Sequence, residues 1–224
     1  MAITLQKGQR INLKKDNGSK LNDFCVGCNW GAITREKKGL FGFGTSKEVE
    51  DVDLDLSCIM VDSDGKMIDY IYSPEYRKEF LASRGQKPGK LDSDDRALHH
   101  SGDDRKGDAD GDDGLDNEII TVDLSRISPR TEQIFFFLNN AGKGDFAEIP
   151  YASIRMYEGT PQTVKEVFAT YNVASDPMYK DKRAVIMGKL YKKDGEWKFS
   201  AIGDATADSN LCDTIDRILK TYAR

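Results

Sequence analysis

The sequence predicts an all-β chain: a β-sandwich with a short C-terminal amphipathic helix and a long acidic metal-binding loop. Three observations predict it. Short runs rich in β-branched and aromatic residues recur, separated by turn signals about every ten residues, the spacing that sandwiches and barrels need. Two Asp–Gly dipeptides, Asp64–Gly65 and Asp194–Gly195, each stand between two such runs, where a tight hairpin tolerates positive φ. Helical spacing is confined to two segments.

The elements follow in order. "KGQRINL" opens on turn residues and passes into alternation at Ile11 and Leu13, and a loop follows around Asn17–Gly18. "FCVGCNWGA" reads as a strand on which Phe24, Val26, Cys28 and Trp30 share one face while Cys25 points the other way. The CxxC pair therefore diverges, no second CxxC exists, and the four cysteines read as small packed hydrophobes. Residues 35–50 are polar and non-periodic, so they read as a surface loop with Phe41 and Phe43 half-buried beside Gly42 and Gly44. "VDLDLSCIMVDSDGKMIDYIYS" is a hairpin, and so is "RAVIMGKLYKKDGEWKFSAIG". Between them, residues 117–127, 133–139, 151–159 and 166–173 supply further strands. In 73–85, Ser73 is the expected N-cap, Pro74 the first helical residue and Gly85 the stop. At the end, Leu211, Ile215, Ile218, Leu219 and Tyr222 follow a helical spacing over about 208–222, with Asp208 or Ser209 as cap. Residues 1–224 are expected to form one domain.

Charge narrows the function. The chain has 224 residues, 33 basic and 38 acidic, and a net charge of −5. "HHSGDDRKGDADGDDGLDNE" (99–118) holds eight carboxylates against Arg105 and Lys106, more negative charge than the whole chain nets. The acidity is local, which points to a site. A net-acidic chain without a basic stripe is not expected to take nucleic acid as its partner. No apolar run approaches the roughly 18–20 residues of a membrane span, and "MAITLQKGQRINL" lacks a signal-like apolar region. A cytoplasmic protein is expected.

Like charges this dense repel unless a cation neutralises them. Calcium takes about six to eight oxygens and tolerates irregular geometry. Short Asp side chains and interspersed glycines suit that chemistry, and Gly102, Gly107, Gly111 and Gly114 punctuate Asp103, Asp104, Asp108, Asp110, Asp112 and Asp113. An EF-hand register from Asp108 fails, because its sixth and twelfth positions are Asp113 and Ile119. A second segment should complete the cage. In "EDVDLDLS", Asp51, Asp53 and Asp55 point one way while Val52, Leu54 and Leu56 point the other. A solvated strand face has the same alternation. His99 and His100 read as a strand end whose carbonyls face the ion, with base or soft-metal roles as alternatives.

These residues carry a resemblance. "DLDLSCIMVDSDGK", "HHSGDDRKGDADGDD" and "GKLYKKDGEWKFSAIG", over nearly the whole chain, resemble the TerD family of tellurium-resistance and stress-response proteins. The resemblance implies a calcium-binding β-sandwich with no established enzyme activity. It implies Asp53, Asp55, Asp103, Asp104, Asp108, Asp110, Asp112 and Asp113 as ion neighbours, with two calcium ions expected as cofactor. In the family an acid closes the run directly. Here "GLDN" intervenes before Glu118, which completes the metal set but, with Asp116, departs from the pattern. The 35–50 and 73–98 segments are longer than in a minimal member.

The function expected is a non-catalytic calcium protein whose ion-ordered loop docks partner proteins of a stress-resistance complex. A metal-dependent hydrolase or phosphoryl-transfer enzyme using the aspartates is the alternative. Against it, the sequence has no P-loop, no HExxH and no nucleophile elbow. Membrane attachment is expected only as a calcium-dependent contact, if at all.

Overall fold

The computed structural model describes residues 3–4, 7–13, 18–38, 45–173 and 177–223. Among the described residues, fourteen strands and two α-helices follow one another: β1 Ile3–Thr4, β2 Arg10–Asn12, β3 Asp23–Trp30, β4 Ile33–Lys38, β5 Thr45–Glu50, β6 Leu54–Val61, β7 Met67–Ile71, α1 Lys78–Ser83, β8 Leu98–His100, β9 Glu118–Asp123, β10 Gln133–Asn140, β11 Ala152–Thr160, β12 Thr163–Asn172, β13 Ala184–Lys193, β14 Glu196–Thr206 and α2 Leu211–Thr221. One six-stranded sheet runs β1-β12-β11-β3-β9-β8 and a second runs β2-β14-β13-β10-β6-β7. All pairings are antiparallel except β1 with β12. The all-β class and the sandwich are as the sequence predicts.

Period-two alternation builds the core. Phe24, Val26, Cys28 and Trp30 of β3 face Leu54, Leu56, Cys58 and Met60 of β6 and Ile134, Phe136 and Leu138 of β10 across the sandwich. Cys25 lies on the opposite face of β3, in a small cluster with Ile119 and Tyr157. All four cysteines are free and buried. "QIFFFLN" reads as an unbroken apolar run because its strand is buried on both faces. Phe136 enters the inter-sheet core, while Phe135 and Phe137 meet Leu211, Ile215 and Ile218 of α2 behind the second sheet.

The Asp194–Gly195 hairpin has both residues at positive φ (55° and 76°) and pairs Lys193 with Glu196, the two-residue turn the dipeptide predicts. At Asp64–Gly65 the turn is longer. The Asp62 side chain accepts from the Asp64 and Lys66 N–H groups, and only Gly65 has positive φ.

Three expectations need correction. Residues 35–50 are not a simple loop: β4 and β5 pair from Ile33↔Glu50 to Lys38↔Thr45 as a separate two-stranded sheet. No core imposes alternation on exposed strands, and cross-strand pairs such as Glu36↔Lys47 sit where buried residues would otherwise signal a strand. Phe41, Gly42, Phe43 and Gly44 lie outside the described residues, as does Asn17. The first helix begins at Lys78, not Pro74, with Arg77 at its N-cap and no side-chain cap. Ser73 instead accepts from the Glu75 N–H, and this turn delivers Tyr76 to Asp55. Gly85, at φ 73°, does end that helix. The cap of α2 is Asn210, whose Oδ1 accepts from the Asp213 N–H; Asp208 is taken by Arg217.

Candidate metal centre

The acidic run is the connection from β8 to β9, and backbone bonds lay it along the end of the sandwich. Asp108 and Gly31 form a parallel bridge, the Asp108 N–H donates to the Trp30 carbonyl, and the Ala32 N–H donates to that of Asp108. The Val52 N–H donates to the Lys106 carbonyl, and the Trp30 indole N–H donates to the Val52 carbonyl at 2.8 Å. Gly107 is required here: it has φ 69°, and a Cβ on it would meet the Trp30 ring at 2.5 Å. Strands flank the run where an EF-hand has helices.

Among the described residues, two groups of three carboxylates offer oxygens that all lie within 4.8 Å of one another: Asp53, Asp55 and Asp103, and Asp108, Asp112 and Asp113. Oxygens on opposite sides of a calcium ion, each about 2.4 Å from it, are about 4.8 Å apart, so both groups fit that ion's reach.

The first group lines a cavity of about 130 Å³ together with Ser73, Glu75 and Tyr76. Asp55 is buried, and its Oδ2 accepts from the Tyr76 hydroxyl at 2.7 Å. Burial, then the neighbouring Glu118 charge, pushes the Asp55 carboxyl well above the usual range, against the Tyr76 hydrogen bond. Asp53 is pushed up by burial and by the charge of Asp103, with Arg105 opposing. The Asp103 Oδ1 is buried with no hydrogen-bond partner. A crowded, desolvated carboxylate set with an orphaned oxygen is what a divalent cation satisfies, so these residues fit one.

The second group is more exposed. Asp108 accepts from the Tyr151 hydroxyl at 2.9 Å and from Asn117 Nδ2 at 3.1 Å. Asp112 Oδ1 accepts from the Gly114 N–H at 2.7 Å and from Asn29 Nδ2 at 2.8 Å. Asp113 Oδ1 accepts from the Leu115 N–H. Burial and then Asp108 push the Tyr151 phenol up.

The remaining expected ligands fall elsewhere. Asp104 lies between the groups, accepting from the Lys106 and Gly107 N–H groups and from Asn117. Asp110 and Asp51 are exposed and stand outside both groups. Glu118 is 1% exposed, and its carboxylate accepts from the Leu56 N–H at 2.7 Å and the Asp104 N–H at 3.1 Å. His100 Nε2 stands 3.4 Å from it and donates to the Leu56 carbonyl, while Nδ1 accepts from the Gly102 N–H. The buried glutamate thus ties both sheets to the acidic run. The His99 carbonyl accepts from the Thr121 hydroxyl, and its ring pairs with Asp92. Asp116 is clamped by Arg155 at 2.8 Å, above Gly27, where a Cβ would come within 2.0 Å of its Oδ2.

Tyr76, Tyr151, Asn117 and Asn29 escaped the sequence reading. All are neutral; Tyr76, Tyr151 and Asn29 are remote in sequence from the aspartates they hold, Asn117 stands uncharged inside the run, and only the strand register brings Asn29, opposite Ser153, under the loop.

The TerD domain model matches residues 1–216. The tellurium resistance protein TerZ of Serratia marcescens is 31% identical over 224 residues, covering 99% of this chain and 100% of that one. The stress response protein SCP2 of Bacillus subtilis is 31% identical over 221 residues, covering 97% and 99%. The crystal structure of a homologue of telluride resistance protein from Streptomyces coelicolor shares the fold, with a TM-score of 0.55 at 14% identity, covering 83% of this chain and 90% of that one. With the family model matched over residues 1–216 and relatives covered over nearly their full length, the chain belongs to the TerD family.

Proposed function

We propose that this protein is a non-catalytic calcium-binding member of a tellurium-resistance or stress-response system. Two ions, one at Asp53, Asp55 and Asp103 and one at Asp108, Asp112 and Asp113, fix the 99–118 run as a docking surface for partner proteins. The observation that carries the reading is the pair of three-carboxylate groups, one of them holding a buried unpartnered oxygen. The names of the relatives, resistance and stress-response proteins, support the setting. Four unpaired cysteines favour the reducing cytoplasm. Among the described residues no helix is long and apolar enough to cross a membrane.

Calcium that binds the native state alone raises stability by about 2.7 kcal/mol at a hundredfold excess over Kd. Thermal melts of the whole chain, in EDTA and in millimolar calcium, should show a clear rise in Tm. Asp53→Asn with Asp103→Asn should remove part of it, and adding Asp108→Asn with Asp112→Asn the rest. A melting curve indifferent to millimolar calcium defeats the proposal. A phosphatase screen with magnesium, manganese and calcium should find no turnover that these substitutions abolish.

A further inference from the structure

We propose that Asn29 supplies a neutral oxygen ligand to the cation at Asp108, Asp112 and Asp113, an assignment that rests on the calcium reading above. Asn29 lies on β3, on the face turned away from the inter-sheet core, and the acidic run crosses that face. Asp116 sits over Gly27, and Asp112 sits over Asn29. The crossing leaves Asn29 only 4% exposed.

Within this cover the amide is half used. Its Nδ2 donates to Asp112 Oδ1 at 2.8 Å, while its Oδ1 is buried without any hydrogen-bond partner. Buried polar atoms nearly always have partners, so an orphan against a carboxylate group calls for a physical reason. A donor role toward Asp112 leaves that oxygen unpartnered. A ligand role gives it a partner. The two ends of an amide are nearly isosteric, and half a turn about Cβ–Cγ exchanges them. That turn brings the oxygen to the Asp112 side, leaves Asp112 Oδ1 with the Gly114 N–H as its donor, and moves the NH₂ to where the oxygen now lies. Calcium takes amide carbonyl oxygens as ligands alongside carboxylates. Charge favours the neutral group: three carboxylates already exceed the ion's two positive charges, and a fourth would add repulsion in a half-buried place.

The test is calorimetric titration of the whole chain with calcium, with terbium luminescence sensitised by Tyr151 as a second reading of the same site. The Asp108→Asn, Asp112→Asn pair identifies the signal of the other site, which in every variant reports that the chain is folded. Asn29→Ala should weaken the second site about tenfold or more, and leave the first unchanged. Asn29→Asp separates a ligand from a structural donor, since it keeps an oxygen and loses the N–H. A ligand role predicts that this variant binds clearly tighter than Asn29→Ala, with the fourth charge setting how far it falls short of the native chain, while melting lower in EDTA. The assignment is overturned if Asn29→Ala binds within twofold of native, or if Asn29→Asp is as weak as Asn29→Ala. A native chain that takes no calcium overturns the calcium reading itself, a different result from either of these.

Discussion

Glu118 shows how a single side chain can hold the acidic run in place while standing outside both carboxylate groups. Each carboxylate oxygen accepts from a different backbone N–H, Leu56 on the second sheet and Asp104 on the acidic run, with His100 alongside. Glu118→Gln keeps the volume but leaves one acceptor for two donors. One buried N–H then faces an amide NH₂, which costs about 1–3 kcal/mol. Urea unfolding in EDTA should therefore show that loss with no metal present. Asp110→Asn, at an exposed position outside both groups, should stay within about 0.5 kcal/mol of native in the same assay. Equal effects of the two substitutions would contradict this division. Sequence reasoning places both residues in one ligand set because composition counts carboxylates and cannot see which of them the backbone consumes. That part is legible only after strand register sets Glu118 opposite Cys28.

At the scale of elements, legibility follows burial. β3, β6, β10 and the last hairpin announce themselves because their side chains meet a core on one face or both, and α2 because its apolar stripe covers Phe135 and Phe137. The β4–β5 sheet stays hidden because Ile33, at one end of β4, is its residue packed against the core, too little to impose alternation. The helix caps are misplaced by one or a few residues because Ser73, Asp208 and Ser209 are chemically able to cap and are used otherwise. Asp208 accepts from the Arg217 Nε at 2.7 Å and from Nη2 at 2.6 Å, and from the Thr206 hydroxyl at 2.8 Å. Burial alone raises this carboxyl, but the hydrogen bonds from Arg217 and Thr206 prevail and hold it below the usual carboxylate range. A carboxyl depressed by folding stabilises fully above its unfolded value of about 3.9 and ceases to do so as pH falls through its folded value. Arg217 is partly in solvent, so screening limits the contribution to about 1 kcal/mol. Asp208→Asn should lower Tm at pH 6, and the gap from native should close as the pH approaches 3. A gap that holds constant over that range rules out the ion pair as its source.

Across the whole molecule, the two carboxylate groups stand where hydrogen bonds from the Leu56 N–H to Glu118 and from His100 to the Leu56 carbonyl already join the sheets. Asp53 and Asp55 stand at the start of β6 in the second sheet, and Asp103 belongs to the connection between β8 and β9 of the first. An ion held by the first group would add a further link between them. It also reaches further, because Tyr76 donates to Asp55 while its ring meets Tyr72 edge-on at 6.3 Å, and Tyr72 stacks on Tyr70 at 4.5 Å. The segment after β7 is thereby coupled to the same carboxylate. The central strands, buried on both faces, gain nothing local from the ion. Amide hydrogen exchange with and without calcium should resolve this pattern. Protection should rise in residues 101–117 and around residues 73–77, whose local opening releases the ion, and in β10 and β6 by the same global gain that raises Tm, while amides that open locally far from the ion, as at the Asp194–Gly195 turn, should not change. Protection confined to 101–117 would mean that only the second group is occupied and that Tyr76 reports on nothing. A rise in β10 and β6 with none in residues 101–117 would mean that calcium acts by global stabilisation alone, and the acidic run would then lose its claim to be an ion-ordered surface.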